Sequence, residues 1–239
     1  MKRALITGAS GAIGSAIAKR LANSGIDVIL QGNQSMAKAE SLARELSSCG
    51  FSASTISLDL TNSLACENVI GSMTDQKTID ILVHAAGIHA DAPMAGMSED
   101  QWKDVIDVSL NGFFHVTKPL LLPMIRQRYG RIVCISSVAA QTGNRGQSNY
   151  AAAKAGLIGA AKSLSQELAS RNVLTNIIAP GIIDSPMTQG HFDADSIRRL
   201  VPKGHAGKPE DVAHLAAFLV SEQADYITGQ VIGVNGGMI

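Results

Sequence analysis

The chain has 239 residues, a length that suits one α/β domain as well as two smaller domains. Aromatic residues make up only 4% of it, and small residues are frequent, which favours helices packed closely on a sheet over an all-β sandwich. The formal net charge is zero, so the charge balance gives no reason to expect a nucleic-acid or membrane-surface partner.

The N-terminal stretch and the cysteines both indicate a cytoplasmic protein. The opening MKRALITGASGAIG has a basic start, but Gly8, Ser10 and Gly11 interrupt the apolar segment that a signal peptide requires. No apolar run is long enough to span a bilayer. The three cysteines have no metal-ligand spacing, so we expect reduced thiols, no metal site and a soluble, unprocessed chain.

Short apolar segments alternate with longer amphipathic ones along the whole chain. The segments typical of buried strands are 3–7, 27–31, 53–58, 80–84, 131–136, 174–180 and 229–235. The stretches between them carry apolar residues at helical spacing. This alternation predicts an α/β fold, a doubly wound parallel sheet with helices on both faces, built as one domain over residues 1–239.

A glycine cluster, TGASGAIG at 7–14, lies where the first predicted strand gives way to the first helix. A bound phosphate needs close approach of the backbone and free N–H groups at a helix N-terminus, and Gly8, Gly11 and Gly14 allow both. The same glycines would also serve an ordinary tight turn. Because the cluster follows a buried strand and opens an amphipathic helix, we predict that it binds a dinucleotide.

The ends of the second and third predicted strands carry the residues expected to select the dinucleotide. An NAD site holds a carboxylate after the second strand, but the stretch LQGNQS at 30–35 has none. Four polar side chains there are able to hydrogen-bond a 2′-phosphate instead: Gln31, Asn33, Gln34 and Ser35. This favours NADPH over NADH, although no arginine or lysine lies there and an ordinary polar turn is the alternative. Asp59, after the third strand, suits either the adenine amino group or a helix cap.

A tyrosine and a lysine lie four residues apart in NYAAAK at 149–154, which places them on one face of a helix. A phenol has a pKa of about 10, and an adjacent ammonium favours the phenolate and lowers that value. Tyr150 beside Lys154 is therefore suited to protonate an alkoxide formed by hydride transfer, or to deprotonate an alcohol in reverse. An ordinary helix surface carries the same spacing.

A buried strand ends in serines shortly before this helix. The carboxyl edge of a parallel sheet is where ligands bind, and RIVCISSVAA places Ser137 there. Its hydroxyl is able to donate a hydrogen bond to a substrate carbonyl and stabilise the developing oxyanion. A helix cap or turn residue is the alternative, which Tyr150 and Lys154 make less favoured.

Taken in chain order, these features resemble the short-chain dehydrogenase/reductase family. The stretches that carry the resemblance are TGASGAIG, HAAG at 84–87, Ser137, YAAAK at 150–154 and PG at 180–181. Within the family, GRIVCISSV, GQSNYAAAKAGLIGAAKSLSQELASR and VNGGMI are most similar to the 3-oxoacyl-(acyl-carrier-protein) reductases. The resemblance implies a Rossmann-type sheet of about seven parallel strands, NADPH-dependent reduction of a β-ketoacyl thioester, and a homotetramer. The pathway implied is fatty acid synthesis or a related polyene or polyketide assembly line.

The resemblance also assigns roles to residues by motif position. It implies that Ser137 orients the carbonyl, that Tyr150 is the acid and that Lys154 tunes it. Ser109 occupies the fourth catalytic position, where the backbone carbonyl holds a water of the proton relay. The implied cofactor-binding residues are Gly8, Ser10, Gly11, Ile13, Gly14, Asn33, Asp59, Leu60, Ala86, Gly87, Tyr150, Lys154, Pro180, Gly181, Ile183 and Ser185.

Four positions depart from the family pattern. Ser109 stands where asparagine is usual, and His84 with Ala85 replaces two amides that help to build the cofactor floor. Gly11 stands where many carrier-protein reductases have arginine, which removes one contact to the 2′-phosphate. Ser185 replaces a threonine, but its hydroxyl is still able to bond the nicotinamide carboxamide.

The segment 184–208 and a set of arginines concern the substrate. The segment is polar and long for a connection, so we expect a substrate lid there. The stretch RQRYGR at 126–131 and Arg171 are basic, and Arg128 and Arg171 match positions at which similar reductases dock the acidic acyl carrier protein. A solvated basic patch is the alternative.

Two other functions stay open at this stage. The same scaffold suits a reductase or dehydrogenase of a free small alcohol, sugar or CoA ester. A cofactor-binding regulatory protein without turnover is the non-enzymatic alternative, but such a protein has no need of the proton donor Tyr150.

Overall fold

The computed structural model describes residues 1–186, 188 and 193–239, and a sheet of seven parallel strands forms its centre. The strands are β1 (Arg3–Thr7), β2 (Asp27–Gly32), β3 (Ala53–Ser57), β4 (Ile81–His84), β5 (Gly130–Ile135), β6 (Val173–Pro180) and β7 (Val231–Val234). Their order across the sheet is β3-β2-β1-β4-β5-β6-β7. Every predicted strand is present, with bounds within two residues of the prediction.

The helices occupy the connections between these strands. They are α1 (Ala12–Asn23), α2 (Met36–Ser48), α3 (Ser63–Gln76), α4 (Glu99–Ile106), α5 (Gly112–Gln127), α6 (Ala139–Thr142), α7 (Ser148–Leu168), α8 (Ala194–Leu200) and α9 (Pro209–Leu219). A π-helical turn, Asp107–Asn111, joins α4 to α5. Single 3₁₀ turns lie at Met94–Gly96, Ala169–Arg171 and Glu222–Ala224.

Two apolar cores, one on each face of the sheet, hold the helices in place. In β1, Ala4 and Ile6 pack into the core with α1, α2 and α9, whereas Leu5 packs into the core with α3, α5 and α7. Successive side chains of a strand point to opposite faces, so a strand covered on both sides must be apolar at every position. This confirms the predicted doubly wound arrangement with helices on both faces.

The strand order reverses between β1 and β4, because the chain builds outward from β1 on one side and then from β4 on the other. Ligands of open α/β sheets bind beyond the carboxyl ends of the strands at such a point. Thr7 and His84, the last residues of β1 and β4, are register partners, and His84 is paired in turn with Cys134 of β5. The sequence motifs that follow these strands therefore converge.

The predicted lid, 184–208, includes α8 and ends just before α9. Residues 187 and 189–192 of it lie outside the described residues, and the lid remains a prediction. Over the part of the chain that the structure describes, no helix is both long and apolar enough to cross a membrane. The same residues contain no group of three or more His, Cys, Asp or Glu side chains arranged to hold a metal ion.

Arg131, part of the basic stretch 126–131, is not a surface residue. It is 1% exposed at the start of β5, and its Nη2 donates to Asp225 Oδ1 at 2.7 Å. Its Nη1 donates to the Asn172 carbonyl at 3.1 Å, and the guanidinium lies 4.4 Å from the Tyr129 ring centroid. A buried charge needs such partners, because transfer out of water is costly. Arg131 therefore joins the start of β5 to Asn172 and Asp225, and it is unavailable to an acidic partner.

We expect Asp225→Asn to lower the free energy of unfolding by about 2 kcal/mol, because the buried guanidinium loses its charged acceptor but keeps neutral ones. Asp195→Asn is the matched control, since Asp195 pairs with Arg198 where both side chains are exposed. Its loss should stay below about 1 kcal/mol. Urea unfolding followed by circular dichroism measures both values, and equal losses would contradict the importance assigned to the buried pair.

Candidate active site

The glycine turn between β1 and α1 is packed so tightly that side chains are excluded from it. Gly8 has φ +64°, and a Cβ added there would lie 2.8 Å from the Ala86 backbone. A Cβ on Gly14 would overlap the Gly8 carbonyl oxygen. Gly11 caps α1 without a side-chain hydrogen bond, and the first turn of α1 has no acidic residue. The positive end of the helix is thus open toward the turn, an arrangement that fits the phosphates of a dinucleotide.

Gln31 supports the glycine turn through its side-chain hydrogen bonds, and the prediction that it binds a 2′-phosphate is wrong. Its side chain is 3% exposed, its Oε1 accepts the Gly8 N–H at 2.9 Å and its Nε2 donates to the Leu58 carbonyl at 2.6 Å. Both polar atoms are therefore used within the fold, and Gln31 is not free to bind a 2′-phosphate. Asn33, two residues on, is exposed beyond the end of β2 and keeps that predicted role.

Asp59 forms a turn of its own rather than a helix cap. Its Oδ1 accepts the Thr61 backbone N–H at 2.9 Å and the Thr61 hydroxyl at 2.8 Å. The cap of α3 is Asn62, whose Oδ1 accepts the Ala65 N–H at 3.0 Å. The capping alternative for Asp59 is thus wrong, and its role beside the adenine remains a prediction. Leu60 follows it in a buried position.

The three residues predicted to carry the chemistry come together at the carboxyl end of β5. Ser137 follows β5, and its Oγ accepts the Ala139 N–H at 3.1 Å, which leaves its hydroxyl proton to donate. Tyr150 and Lys154 lie one turn apart on α7, with Lys154 Nζ 5.8 Å from the Tyr150 ring centroid. Hydrogen bonding with Ser137 lowers the pKa of the Tyr150 phenol, against the larger effect of burial. Ser137 therefore serves both as the turn residue and as part of the hydroxyl pair.

The pKa of Tyr150 shifts in the direction opposite to the one predicted. Burial of the phenol raises its pKa above the usual value, and the hydrogen bond from Ser137 only partly opposes this. The nearby carboxylate of Asp91 raises the pKa further. The expected lowering of the pKa by Lys154 is wrong in this structure: burial determines the direction of the shift, and Lys154 is not among the groups that cause it.

Lys154 is buried with its charge. The side chain is 3% exposed, and Nζ donates to the Ile135 carbonyl at 2.9 Å. Burial lowers the pKa of Lys154 to about 8, and the coulombic influence of Cys134 opposes this. A Cβ added to Gly87 would lie 2.9 Å from Nζ, so a larger residue there would displace the ammonium from this position.

Ser109, the fourth predicted catalytic residue, lies in the π-helical turn close to Lys154. It is fully buried, and its Oγ would lie 3.2 Å from a Cβ added to Gly87. Its backbone carbonyl bonds His84 Nε2 at 3.1 Å. The two departures from the family pattern at positions 84 and 109 are therefore in direct contact.

The segment after β6 forms the far wall of the site. The Pro180 carbonyl accepts the Val138 N–H at 2.8 Å, and a Cβ on Gly181 would lie 2.8 Å from Asn235 Cα. Ile183 is buried, and the hydroxyls of Ser185 and Thr188 lie 3.3 Å apart. The roles predicted for these residues toward a cofactor remain predictions.

Three residues of the site were missed as functional residues in the sequence. Thr188 Oγ1 accepts the Ser185 N–H at 3.1 Å and so fixes the turn after Ile183. Asn149 Nδ2 donates to the carbonyls of Ala90 and Gln101, at 3.0 and 2.9 Å. These bonds hold the segment after β4 and the start of α4 against α7. Thr7 accepts the Ala86 N–H at 3.2 Å. Each of the three lies within or beside a motif identified in the sequence, and this proximity is the signal that could have identified it.

Comparisons with known proteins agree with this geometry. A family model described as enoyl-(acyl carrier protein) reductase matches residues 8–239. The chain is 41% identical to the 3-oxoacyl-(acyl-carrier-protein) reductase FabG of Aggregatibacter actinomycetemcomitans, over 98% of each chain. It is 44% identical to the protein of that name from Rickettsia conorii, over 100% of this chain and 97% of the relative. The Escherichia coli protein of the same name is 41% identical, over 99% of this chain and 97% of the relative.

We expect Lys154 to titrate at about 8 in the folded protein, because its ammonium is desolvated. The reference is the pKa of about 10.4 of a lysine side chain in a model peptide. Heteronuclear NMR of lysine-labelled protein measures the pKa of Lys154, with Lys154→Met used to assign the signal. A normal titration of Lys154 would show that water reaches the ammonium and would contradict its burial.

Proposed function

This chain belongs to the short-chain dehydrogenase/reductase family, and we propose that it uses NADPH to reduce the 3-oxo group of acyl thioesters on acyl carrier protein. The observation that carries the proposal is the pair of hydroxyls, Ser137 and Tyr150, beside the buried Lys154. A ketone that accepts hydride at carbon develops negative charge on its oxygen. Two adjacent hydroxyl groups are able to stabilise and protonate that oxygen.

NADPH, when bound, supplies the hydride. The glycine turn at Gly8, Gly11 and Gly14 suits its phosphates, and Asn33 suits the 2′-phosphate because no carboxylate lies there to repel it. The remaining residues assigned to the cofactor border the same edge of the sheet: Ser10, Ile13, Asp59, Leu60, Ala86, Gly87, Pro180, Gly181, Ile183 and Ser185.

The direction of the Tyr150 pKa shift suits reduction. Because burial raises the pKa, the phenol keeps its proton at neutral pH and is ready to give it to the substrate oxygen. Ser137 donates a hydrogen bond to the same oxygen, and Lys154 supplies positive charge nearby while it stays protonated. The reverse reaction needs the phenolate, which this environment disfavours.

The description of the matching family model raises a second candidate, reduction of a carbon–carbon double bond. That reaction places the final proton on a carbon atom. The adjacent hydroxyls of Ser137 and Tyr150 are instead suited to stabilise and protonate the oxygen of a ketone. The relatives named above are all 3-oxoacyl reductases, which supports the same choice.

The deciding experiment offers acetoacetyl groups on carrier protein, on CoA and on a short thioester mimic, each with NADPH and with NADH. We expect the fastest turnover on the carrier with NADPH, and little oxidation with a crotonyl thioester. Tyr150→Phe should lower kcat at least about 100-fold and leave nucleotide binding nearly unchanged, because only the proton donor is lost. Full activity of that variant would contradict the assigned chemistry.

The other outcomes separate the alternatives. Equal turnover on all three thioesters favours a reductase of free small substrates. Tight nucleotide binding without any turnover favours a regulatory protein. Preference for the crotonyl thioester favours the enoyl reaction.

Arg128 and Arg171 are proposed to dock the carrier. Both are exposed, and the Arg128 guanidinium donates to the Ser170 carbonyl at 3.1 Å, so the two arginines lie on adjacent loops. These loops precede β5 and β6, at the amino edge of the sheet, whereas Tyr150 and Lys154 lie at the carboxyl edge. A strand of six residues separates the edges by about 20 Å. We therefore propose a homo-oligomer, with tetramer as the expected state, in which a carrier bound to one copy serves the site of another.

Complementation between inactive variants tests this arrangement. Tyr150→Phe and the double variant Arg128→Glu, Arg171→Glu should each reduce carrier-bound substrate poorly when alone. Co-expressed and purified through two different tags, they should regain activity, because one copy supplies Tyr150 and the other the arginines. Arg44→Glu, an exposed change on α2, is the control. Failure of the mixture would contradict docking between copies, and the double variant's normal turnover of acetoacetyl-CoA would show that its site is intact.

A further inference from the structure

His84 is a fully buried histidine whose two ring nitrogens both have partners. Nε2 lies 3.1 Å from the Ser109 carbonyl oxygen, and because a carbonyl only accepts, Nε2 must carry the proton. Nδ1 lies 3.0 Å from the Thr7 hydroxyl, which already accepts the Ala86 N–H and so gives its own proton to the ring. The contacts therefore define a neutral imidazole with a single tautomer.

The environment of the ring keeps it neutral. Burial lowers the pKa of His84 to about 3, the charge of Lys154 acts in the same direction, and the bond to Ser109 opposes them. The Phe113 ring meets His84 edge-on at 5.6 Å between centroids. Cys134, its register partner on β5, is also buried. His84 is thus a rigid connector between β1, β4 and the π-helical turn rather than a titrating group.

The contact with His84 involves the backbone of Ser109 and leaves its side chain unpaired within the described part of the chain. Its carbonyl is bonded to His84, while its Oγ is buried and has no hydrogen-bond partner among the residues that the structure describes. Leaving a buried hydroxyl unpaired is unfavourable, and such groups in native structures often serve function. Ser109 Oγ and Lys154 Nζ would lie 3.2 and 2.9 Å from a Cβ added to Gly87, so both atoms border the same small space.

We propose that His84 is a positioning residue that holds Ser109 so that the Ser109 hydroxyl exchanges protons with Lys154. The proposal rests on the reductase function argued above, in which each turnover consumes one proton from the site. When Lys154 is a neutral amine, the Ser109 O–H proton passes to its nitrogen as a water molecule gives a proton to the Ser109 oxygen. That water leaves as hydroxide, and only N–H and O–H bonds form or break.

The side chain of Ser109 provides the first test. Ser109→Ala removes the hydroxyl and keeps the carbonyl, so we expect kcat to fall about 100-fold while the KM for thioester and the Kd for NADPH stay near wild-type values. Ser109→Thr, which keeps a hydroxyl, should recover most of the lost rate. Thr117→Val is the matched control, because Thr117 also has a buried hydroxyl without a partner in the described part of the chain, but away from the site. A wild-type kcat for Ser109→Ala would overturn the proposal.

His84 provides the second test. His84→Phe keeps an aromatic ring and removes both hydrogen bonds, so it should reproduce the loss of kcat. His84→Gln should retain more activity, because its amide nitrogen occupies the same position along the side chain as Nε2. Long-range nitrogen NMR of the wild type should show an Nε2–H ring that stays neutral between about pH 5 and about pH 8. An Nδ1–H tautomer, or protonation within that range, would overturn the proposal.

Different results would contradict the proposed reductase function and the proposed role of His84. If the wild type reduces none of the offered thioesters, the proposed function is wrong and the proton path is lost with it. If the wild type turns over normally but Ser109→Ala and His84→Phe do so equally well, the reductase function stands and only the proton path through Ser109, with the role of His84 in it, is wrong.

Discussion

The rest of the site is arranged around one buried ammonium group, that of Lys154. Its Nζ donates to the Ile135 carbonyl at the end of β5 and lies so close to Gly87 that any side chain there would collide with it. Burial of a charge lowers the pKa of the lysine and also makes a second positive charge nearby unfavourable. Burial is the main reason why His84, although able to ionise, is neutral, and the charge of Lys154 lowers the pKa of the ring further. The Lys154 ammonium therefore affects both the packing around Gly87 and the pKa of His84.

The sequence predicts the scaffold well because the physical signals are local. β1, β4 and β5 are covered on both faces, so their apolar runs are continuous and their bounds are easily read. The spacing of Tyr150 and Lys154 likewise predicts their adjacency on one helix face. Spacing does not contain the degree of burial, however, and burial determines the sign of the Tyr150 pKa shift. For that reason Lys154 lies beside Tyr150 as predicted, whereas the predicted direction of the Tyr150 pKa shift is wrong.

Contacts between distant segments are the part that sequence reasoning missed. His84 and Ser109 look like two unrelated departures, because 25 positions separate them and neither lies in a periodic pattern with the other. Only the pairing of β4 with β1, together with the π-helical turn after α4, brings the imidazole onto the Ser109 carbonyl. One substitution therefore has to be understood through the other. Arg131 is a similar case, since its burial depends on Asp225, which lies 94 residues away.

Gln31 has a consequence for how cofactor preference can evolve in this chain. Its two amide hydrogen bonds tie the Gly8 turn to the segment after β3, so a charged residue introduced there would disturb the fold before it altered nucleotide choice. Asn33 is exposed and free of that constraint. With Asn33 as the proposed contact to the 2′-phosphate, a change of cofactor preference would arise at position 33, whereas position 31 is constrained by its structural hydrogen bonds. Under this proposal, cofactor preference and the stability of the glycine turn depend on two different residues, Asn33 and Gln31, so that one can change without the other.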